Sequence, residues 1–159
     1  MVSEKIKFIQ DDNYNTPIQG WEDIMQFIEN KNSKIWLPFY NDGSAKKILL
    51  DLGFKNIYHE NIDFFTYTLE DYILIDNPPY SIKEKIIKRL YDMKISFSLL
   101  LPIDTLERKY FVKYTENLQI VIPKIRYIYK EGAKNPPFKS CWFCWNMKDY
   151  LPNKQLIFL

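Results

Sequence analysis

Four apolar residues, Tyr72-Ile73-Leu74-Ile75, end abruptly at Asp76-Asn77-Pro78-Pro79-Tyr80, and this junction constrains the fold more than any other feature. A short unbroken apolar run bounded by turn residues reads as a strand buried on both sides. Two consecutive prolines hold the backbone extended and cannot continue a ladder, so the chain leaves the strand end in a rigid loop. Ser81-Ile82-Lys83-Glu84 is then a capping box, with Ile82, Ile86, Ile87, Leu90 and Met93 at helical spacing behind it. Strand, rigid loop and helix in this order build a crossover unit of a parallel sheet.

The segments on either side repeat the alternation. Thr16 as a cap, Pro17 at the first helical position and Trp21, Ile24, Met25 and Ile28 at helical spacing predict a helix over 17–30. Residues 34–39 read as a buried strand stopped by Pro38 and the Asn41-Asp42-Gly43 turn, 44–52 as a short helix ended by Gly53, and 56–59 as a strand. The interval from Pro38 to Asn77 leaves room for one helix and one strand, so a second crossover helix is not expected there. Residues 95–101 read as the next buried strand, and Asp104 with Glu107 opens a helix reaching about Asn117. Beyond it, 119–122, 126–129, 139–146 and 155–158 read as strands joined by short turns. The expectation is an α/β fold: a mostly parallel sheet with helices on both faces and an antiparallel C-terminal edge. Ligands of such sheets bind at the carboxyl ends of the strands, where the loops 38–43 and 76–80 lie.

Composition narrows the setting. A chain of 159 residues, 47% hydrophobic and 17% aromatic, can bury one substantial core, so one domain is expected and a two-domain enzyme is excluded. The longest uncharged apolar stretch, 95–103, is about half a membrane span, and residues 1–13 are charged throughout, so neither membrane segment nor signal peptide is expected. Two cysteines and one histidine supply neither a disulfide framework nor a zinc site. A cytoplasmic protein without a metal fits. The two alanines, Ala45 and Ala133, stand among many Ile, Lys, Asn and Tyr, the usage of an AT-rich genome such as a virus or phage, whose product would act in the host cell cytoplasm. The net charge of +2 hides an asymmetry: residues 1–80 carry 7 Lys+Arg and 13 Asp+Glu, hence −6, whereas 81–148 carry 14 and 6, hence +8. An acidic front half suits a small cationic ligand and a basic second half a polyanion, with Lys124, Arg126 and Lys130 as candidate phosphate contacts.

The loop after the central strand carries the chemistry. The Asn77 side chain and the Pro78 carbonyl are acceptors held in place by Pro78 and Pro79, and Tyr80 offers an aromatic face beside them. Two acceptors and a ring suit a planar base bearing an exocyclic amino group. Together with other segments this motif resembles the S-adenosylmethionine-dependent amino-methyltransferases, particularly the short adenine-N6 methyltransferases of phages and restriction–modification systems. Tyr14, Thr16 and Pro17 resemble the family's Tyr-x-Thr-Pro segment near the methionine end of the cofactor. Trp36-Leu37-Pro38-Phe39 with Asp42-Gly43 is similar to its first cofactor motif, although Tyr40 and Asn41 stand where small residues often let the backbone approach the cofactor. Asp63-Phe64-Phe65 resembles the acidic-aromatic step whose carboxylate accepts from the cofactor's adenine amino group. Asn77-Pro78-Pro79-Tyr80 matches the catalytic motif, and residues 138–145, with Phe138 and Trp142, resemble the late aromatic strand lining the base pocket. Glu60, rather than the neighbouring His59, is the expected ribose-binding acid.

The resemblance implies a Rossmann-like methyltransferase domain spanning 1–159, without a separate target-recognition domain. It would bind S-adenosylmethionine and methylate adenine N6 in DNA, alone, as a homodimer or with a partner subunit. Related loops serve enzymes acting on RNA adenine or protein glutamine, and a catalytically inactive methyltransferase-like subunit is a further alternative. Two tempting features have plainer readings. Asn135-Pro136-Pro137-Phe138 also fits the catalytic pattern, but the polar residues 130–134 before it deliver no buried strand, so it reads as a turn. Cys141 and Cys144 have metal-ligand spacing, yet residues three apart on a strand point to opposite faces.

Overall fold

The run Ile73-Leu74-Ile75-Asp76 is buried at every position and forms β3, Ile73–Asp76, as a computed structural model shows for residues 14–129 and 138–159 of the chain. A strand apolar on both faces needs a neighbour on each edge and a layer above and below. β3 pairs in parallel with β1 (Lys34–Trp36) on one side and β4 (Phe97–Pro102) on the other. The sheet continues outward through β2 (Asn56–Tyr58) beyond β1, and through β6 (Ser140–Trp145), β5 (Leu118–Ile122) and β7 (Leu156–Phe158) beyond β4. Its order is β2-β1-β3-β4-β6-β5-β7, a mostly parallel α/β sheet of seven strands.

The expected antiparallel edge is corrected. β6 runs against both β4 and β5, so it is an interior strand, while the outer strand β7 is parallel to β5. Residues 126–129 join no ladder. Tyr127 is buried instead, and its hydroxyl donates to Asp23 of the first helix at 2.6 Å, which draws this segment onto the helix layer.

Strand alternation sends the apolar residues to two cores. On one face, Ile35, Ile73, Ile75, Leu100, Trp142 and Cys144 pack under α1 (Ile18–Met25) and α2 (Ser44–Asp51). On the other, Trp36, Leu74, Leu99, Leu101, Cys141 and Phe143 pack under α3 (Lys83–Met93), which contributes Ile86, Ile87 and Leu90. The crossover from β2 to β3 holds only a 3₁₀ turn, Phe64–Thr66. Helices therefore cover both faces, and the tight interval between Pro38 and Asn77 is filled as its length required. The two cysteines fall in opposite cores, and burial pushes their thiols up to about 11 and about 12.

Other boundaries moved for local reasons. The helix expected over 104–117 is two 3₁₀ turns, Ile103–Glu107 and Val112–Tyr114. Its buried residues Phe111 and Tyr114 are three apart, the spacing at which 3₁₀ side chains eclipse. α1 stops at Met25 rather than Asn30, and the chain closes with bonds from Phe27 N to Ile24 O and from Ile28 N to Met25 O, which keep Ile28 in the core. Thr16 does not cap α1. Pro17 takes that position, and the Thr16 methyl packs so tightly on Gly20 that a Cβ there would lie 2.8 Å from it. Before α3, a 3₁₀ turn at Tyr80–Ile82 replaces the expected start at Ser81.

Candidate functional site

The six strands that share one direction end at the same side of the sheet, and the loops leaving β1 and β3 are neighbours there. The first loop folds by local bonds. Asn41 and Gly43 take left-handed backbone (φ 51 and 79), which asparagine and glycine tolerate, and Gly43 N donates to Tyr40 O at 2.8 Å. Asp42 then accepts from Ser44 N at 2.9 Å and Ser44 Oγ at 2.6 Å, bonds that hold its carboxyl below the ordinary carboxylate value. Its other oxygen accepts from Asn15 Nδ2 at 3.0 Å, and Asn41 Nδ2 donates to Asn15 Oδ1.

The second loop is tied to the rest of the molecule. Asp76, 2% exposed at the end of β3, accepts from Phe39 N and from Asn77 N, both at 2.8 Å. Burial drives its carboxyl well above the ordinary value, against those two amide bonds. Asn77 donates through Nδ2 to Tyr14 O at 2.6 Å, which leaves Oδ1 as the free end of the amide; that oxygen is buried and has no partner. Tyr14, Thr16, Phe39, Asp42, Asp76 and Asn77 line one cleft. Thr16 Oγ1 is a second buried, unpartnered polar atom on its wall. Buried polar groups are almost always hydrogen-bonded, so these two atoms leave the cleft with unused bonding capacity.

Beside the cleft stands an aromatic group. Tyr80, 8% exposed, stacks on Tyr14 with centroids 5.9 Å apart and meets Phe138 edge-on at 5.5 Å. Tyr14 also contacts Tyr129 and Phe138 at 5.4 and 6.0 Å. The Tyr129 hydroxyl bonds Ser140, and burial raises the hydroxyls of Tyr80 and Tyr129.

The structure thus brings together Tyr14, Thr16, Phe39, Asp42 and Asn77 from the sequence candidates, with Tyr80 and Phe138 alongside. Pro17 and Pro38 flank the lining residues, Gly43 shapes the turn, and Pro78 and Pro79 carry the chain from Asn77 to Tyr80. Phe64 packs against Phe39 at 5.2 Å, behind the cleft. Asp63 is exposed and accepts from Phe65 N at 3.0 Å, so it caps its own turn. Glu60 is exposed. Its neighbour His59 is buried: Nδ1 donates to Leu37 O at 2.7 Å, the ring stacks on Tyr40 at 4.9 Å, and Nε2 has no partner. Lys124 and Arg126 are exposed and follow β5 on the carboxyl-end side. Lys130 and the prolines of the second Pro-Pro segment lie outside the described residues. Trp142 is corrected: it is 0% exposed in the core opposite Tyr80, packed on Trp21 at 5.8 Å, and its Nε1 donates to Gly20 O at 3.2 Å.

Asp76, Asn15 and Tyr40 were missed. Asp76 stood inside the motif, but only the fold shows that it spans two loops. Among the described residues no group of three or more His, Cys, Asp or Glu could hold a metal ion, and no helix is long and apolar enough to cross a membrane. No protein-family model and no curated protein matches the chain, so the chemistry of the cleft rests on its own geometry.

Proposed function

We propose that this chain is a Rossmann-like methyltransferase that transfers a methyl group from S-adenosylmethionine to N6 of adenine in DNA. The observation that carries this reading is Asn77 Oδ1, a buried acceptor without a donor, at the carboxyl end of a central parallel strand. An exocyclic amino group is the donor it lacks. The Asn77 Nδ2 bond to Tyr14 O prevents the amide from presenting its other end, so acceptor and not donor chemistry is offered.

The residues of the cleft fit the cofactor. Asp42 offers a carboxylate held in its charged form, Thr16 an unpaired hydroxyl, and Phe39 an apolar wall. These, with Tyr14 and Asn15, would hold it. When bound, S-adenosylmethionine supplies a methyl group already activated by a positive sulfur.

The chain's own residues would then act on the acceptor. Asn77 Oδ1 and the Pro78 carbonyl accept from the two amino N–H groups, which favours a pyramidal nitrogen and directs its lone pair into the cleft. The prolines fix both acceptors before the substrate arrives. Tyr80 supplies a stacking face for a base turned out of the duplex, and Tyr14 must yield that face, since its ring now covers it. Lys124 and Arg126, on the same side, would meet phosphates. The test is tritiated methyl transfer onto DNA, RNA and protein acceptors, followed by nucleoside analysis. Label on N6-methyladenine from DNA is the expected result; label confined to RNA or protein, or none, refutes it.

A further inference from the structure

The ion pairs among the described residues are all at the surface: Lys47–Asp51, Lys88–Asp92 and Arg108–Asp104. Asp76 is the opposite case. It is 2% exposed and lines the cleft, and no Lys, Arg or His among the described residues pairs with it. Its two oxygens each accept one backbone amide, from Phe39 and Asn77 at 2.8 Å. Two amide bonds offset only part of the penalty of removing a carboxylate from water, and a buried anion is ordinarily matched by a cation. Burial accordingly pushes this carboxyl well above the ordinary range. The other acid of the cleft is in a different state, because Ser44 and Asn15 already bond Asp42 at the exposed rim.

A buried carboxyl with no cation beside it is costly to charge, and a cationic ligand centre in the cleft offsets that cost. We propose that Asp76 is the counter-ion of that centre and, resting on the S-adenosylmethionine reading above, that it makes this cleft discriminate the sulfonium cofactor from its neutral thioether product. Methyl transfer leaves the bonding pair on sulfur and removes its positive charge. Asp76 then loses its counter-ion, so the spent cofactor is held less tightly than the fresh one. The amide bonds give Asp76 a second, mechanical part, because they join the loops after β1 and β3; the charge part is what the comparison of the two ligands isolates.

Equilibrium binding of S-adenosylmethionine and S-adenosylhomocysteine, by calorimetry without acceptor, tests this. The wild-type chain should bind the sulfonium about tenfold or more tightly than the thioether, and the neutral variants Asp76→Asn and Asp76→Ser should bring the two within about threefold of each other. Equal affinities, or a preference for the thioether, in the wild-type chain overturn the proposal without any variant and leave the cofactor reading standing. A folded neutral variant that keeps the wild-type preference, or one that loses both ligands equally, reduces Asp76 to a tie between loops and also overturns it. If the wild-type chain binds neither ligand, the cofactor reading itself fails and this proposal falls with it.

Discussion

The loops that leave β1 and β3 face one cleft but are built in opposite ways. The first, residues 38–43, is shaped mainly by local bonds: two left-handed residues, a turn bond from Gly43 to Tyr40, and an exposed aspartate bonded by the serine two residues on, with Asn15 at its rim and the Phe39 amide on Asp76 as its distant ties. The second, residues 77–80, owes its shape to prolines and to distant partners. Asp76 reaches Phe39, Asn77 reaches Tyr14, and Tyr80 rests on Tyr14 and Phe138. A loop shaped mainly by local bonds can change with less disturbance to its neighbours, whereas one tied into the core keeps its polar atoms in place even when they are unpaired. Fixed, unpaired acceptors are what differential stabilisation of a transition state requires. The acidic residues show the same division: Asp42 is held below the ordinary carboxylate value and Asp76 is driven above it, within one cleft.

The largest expected effect tests whether the second loop alone carries the chemistry. Asn77→Ala should lower methyl transfer by about 10²-fold or more, as loss of one preorganised polar contact does elsewhere, with cofactor binding nearly unchanged. Asn135→Ala, in the other Pro-Pro segment, should leave turnover within a few-fold. The reverse pattern would move the active loop and end the comparison. Next comes the pH dependence of stability. The folded chain holds the Asp76 proton more tightly than the unfolded one, because the carboxyl is raised above 3.8 in the fold. Relative to Asp76→Asn, the wild-type chain should therefore keep its full advantage below 3.8 and lose it as pH rises from 3.8 through the raised value. Melting temperatures of both proteins across acidic and neutral pH give the difference curve; a flat curve would place Asp76 in an ordinary solvated setting, and a rising one would mean that its two amide bonds outweigh its burial.

This division also explains what could be read from the sequence. The alternation of apolar runs with capped amphipathic segments was enough for the α/β class, the central position of β3, and the helices on both faces. The loss of a second crossover helix followed from chain length alone. What failed depended on long-range partners. Residues 126–129 have a strand-like pattern, but Tyr127 is drawn to a buried carboxylate more than a hundred residues earlier, which no local pattern encodes. The interior place of β6 depends on strand order, and alternation alone does not say which of its aromatic residues another side chain covers. Trp142 is fully buried behind Trp21, a residue of the cleft wall, and does not line the cleft itself. At the site, Tyr14, Thr16, Phe39, Asp42 and Asn77 lie on short motifs, and the fold brings these residues to one cleft. Asp76 was not legible in the sequence, because its importance comes from the amide of Phe39, supplied by the loop after a different strand, β1.

Two smaller effects probe the first loop. Gly43 has φ 79, and a Cβ added there would lie 2.7 Å from the Tyr40 hydroxyl and 2.9 Å from its Cζ. Gly43→Ala should destabilise the chain by about 1–2 kcal/mol in urea unfolding, since an L-residue in left-handed backbone costs that much by itself. Adding Tyr40→Ala should recover only the part due to the steric contact. Full recovery would mean that the backbone, not the ring, had relaxed, and that this loop is softer than its bonds suggest.

The smallest effect has the opposite sign to that of Asp76 and therefore sharpens the contrast most directly. Asp42 is bonded chiefly by Ser44, and its carboxyl lies below 3.8 in the folded chain, so the unfolded chain binds that proton more readily. Its contribution is thus present above 3.8 and lost as pH falls through the lowered folded value. Asp42 is exposed, and water screens its bonds, so Asp42→Asn should cost only a few tenths of a kcal/mol at neutral pH and less still in acid. Measured as a melting-temperature difference from the wild-type chain, this contribution should rise with pH up to 3.8, whereas that of Asp76 falls above 3.8. Two curves of the same slope would show that both acids respond to a shared property of the fold, such as net charge, and that the loops differ less than their bonding implies.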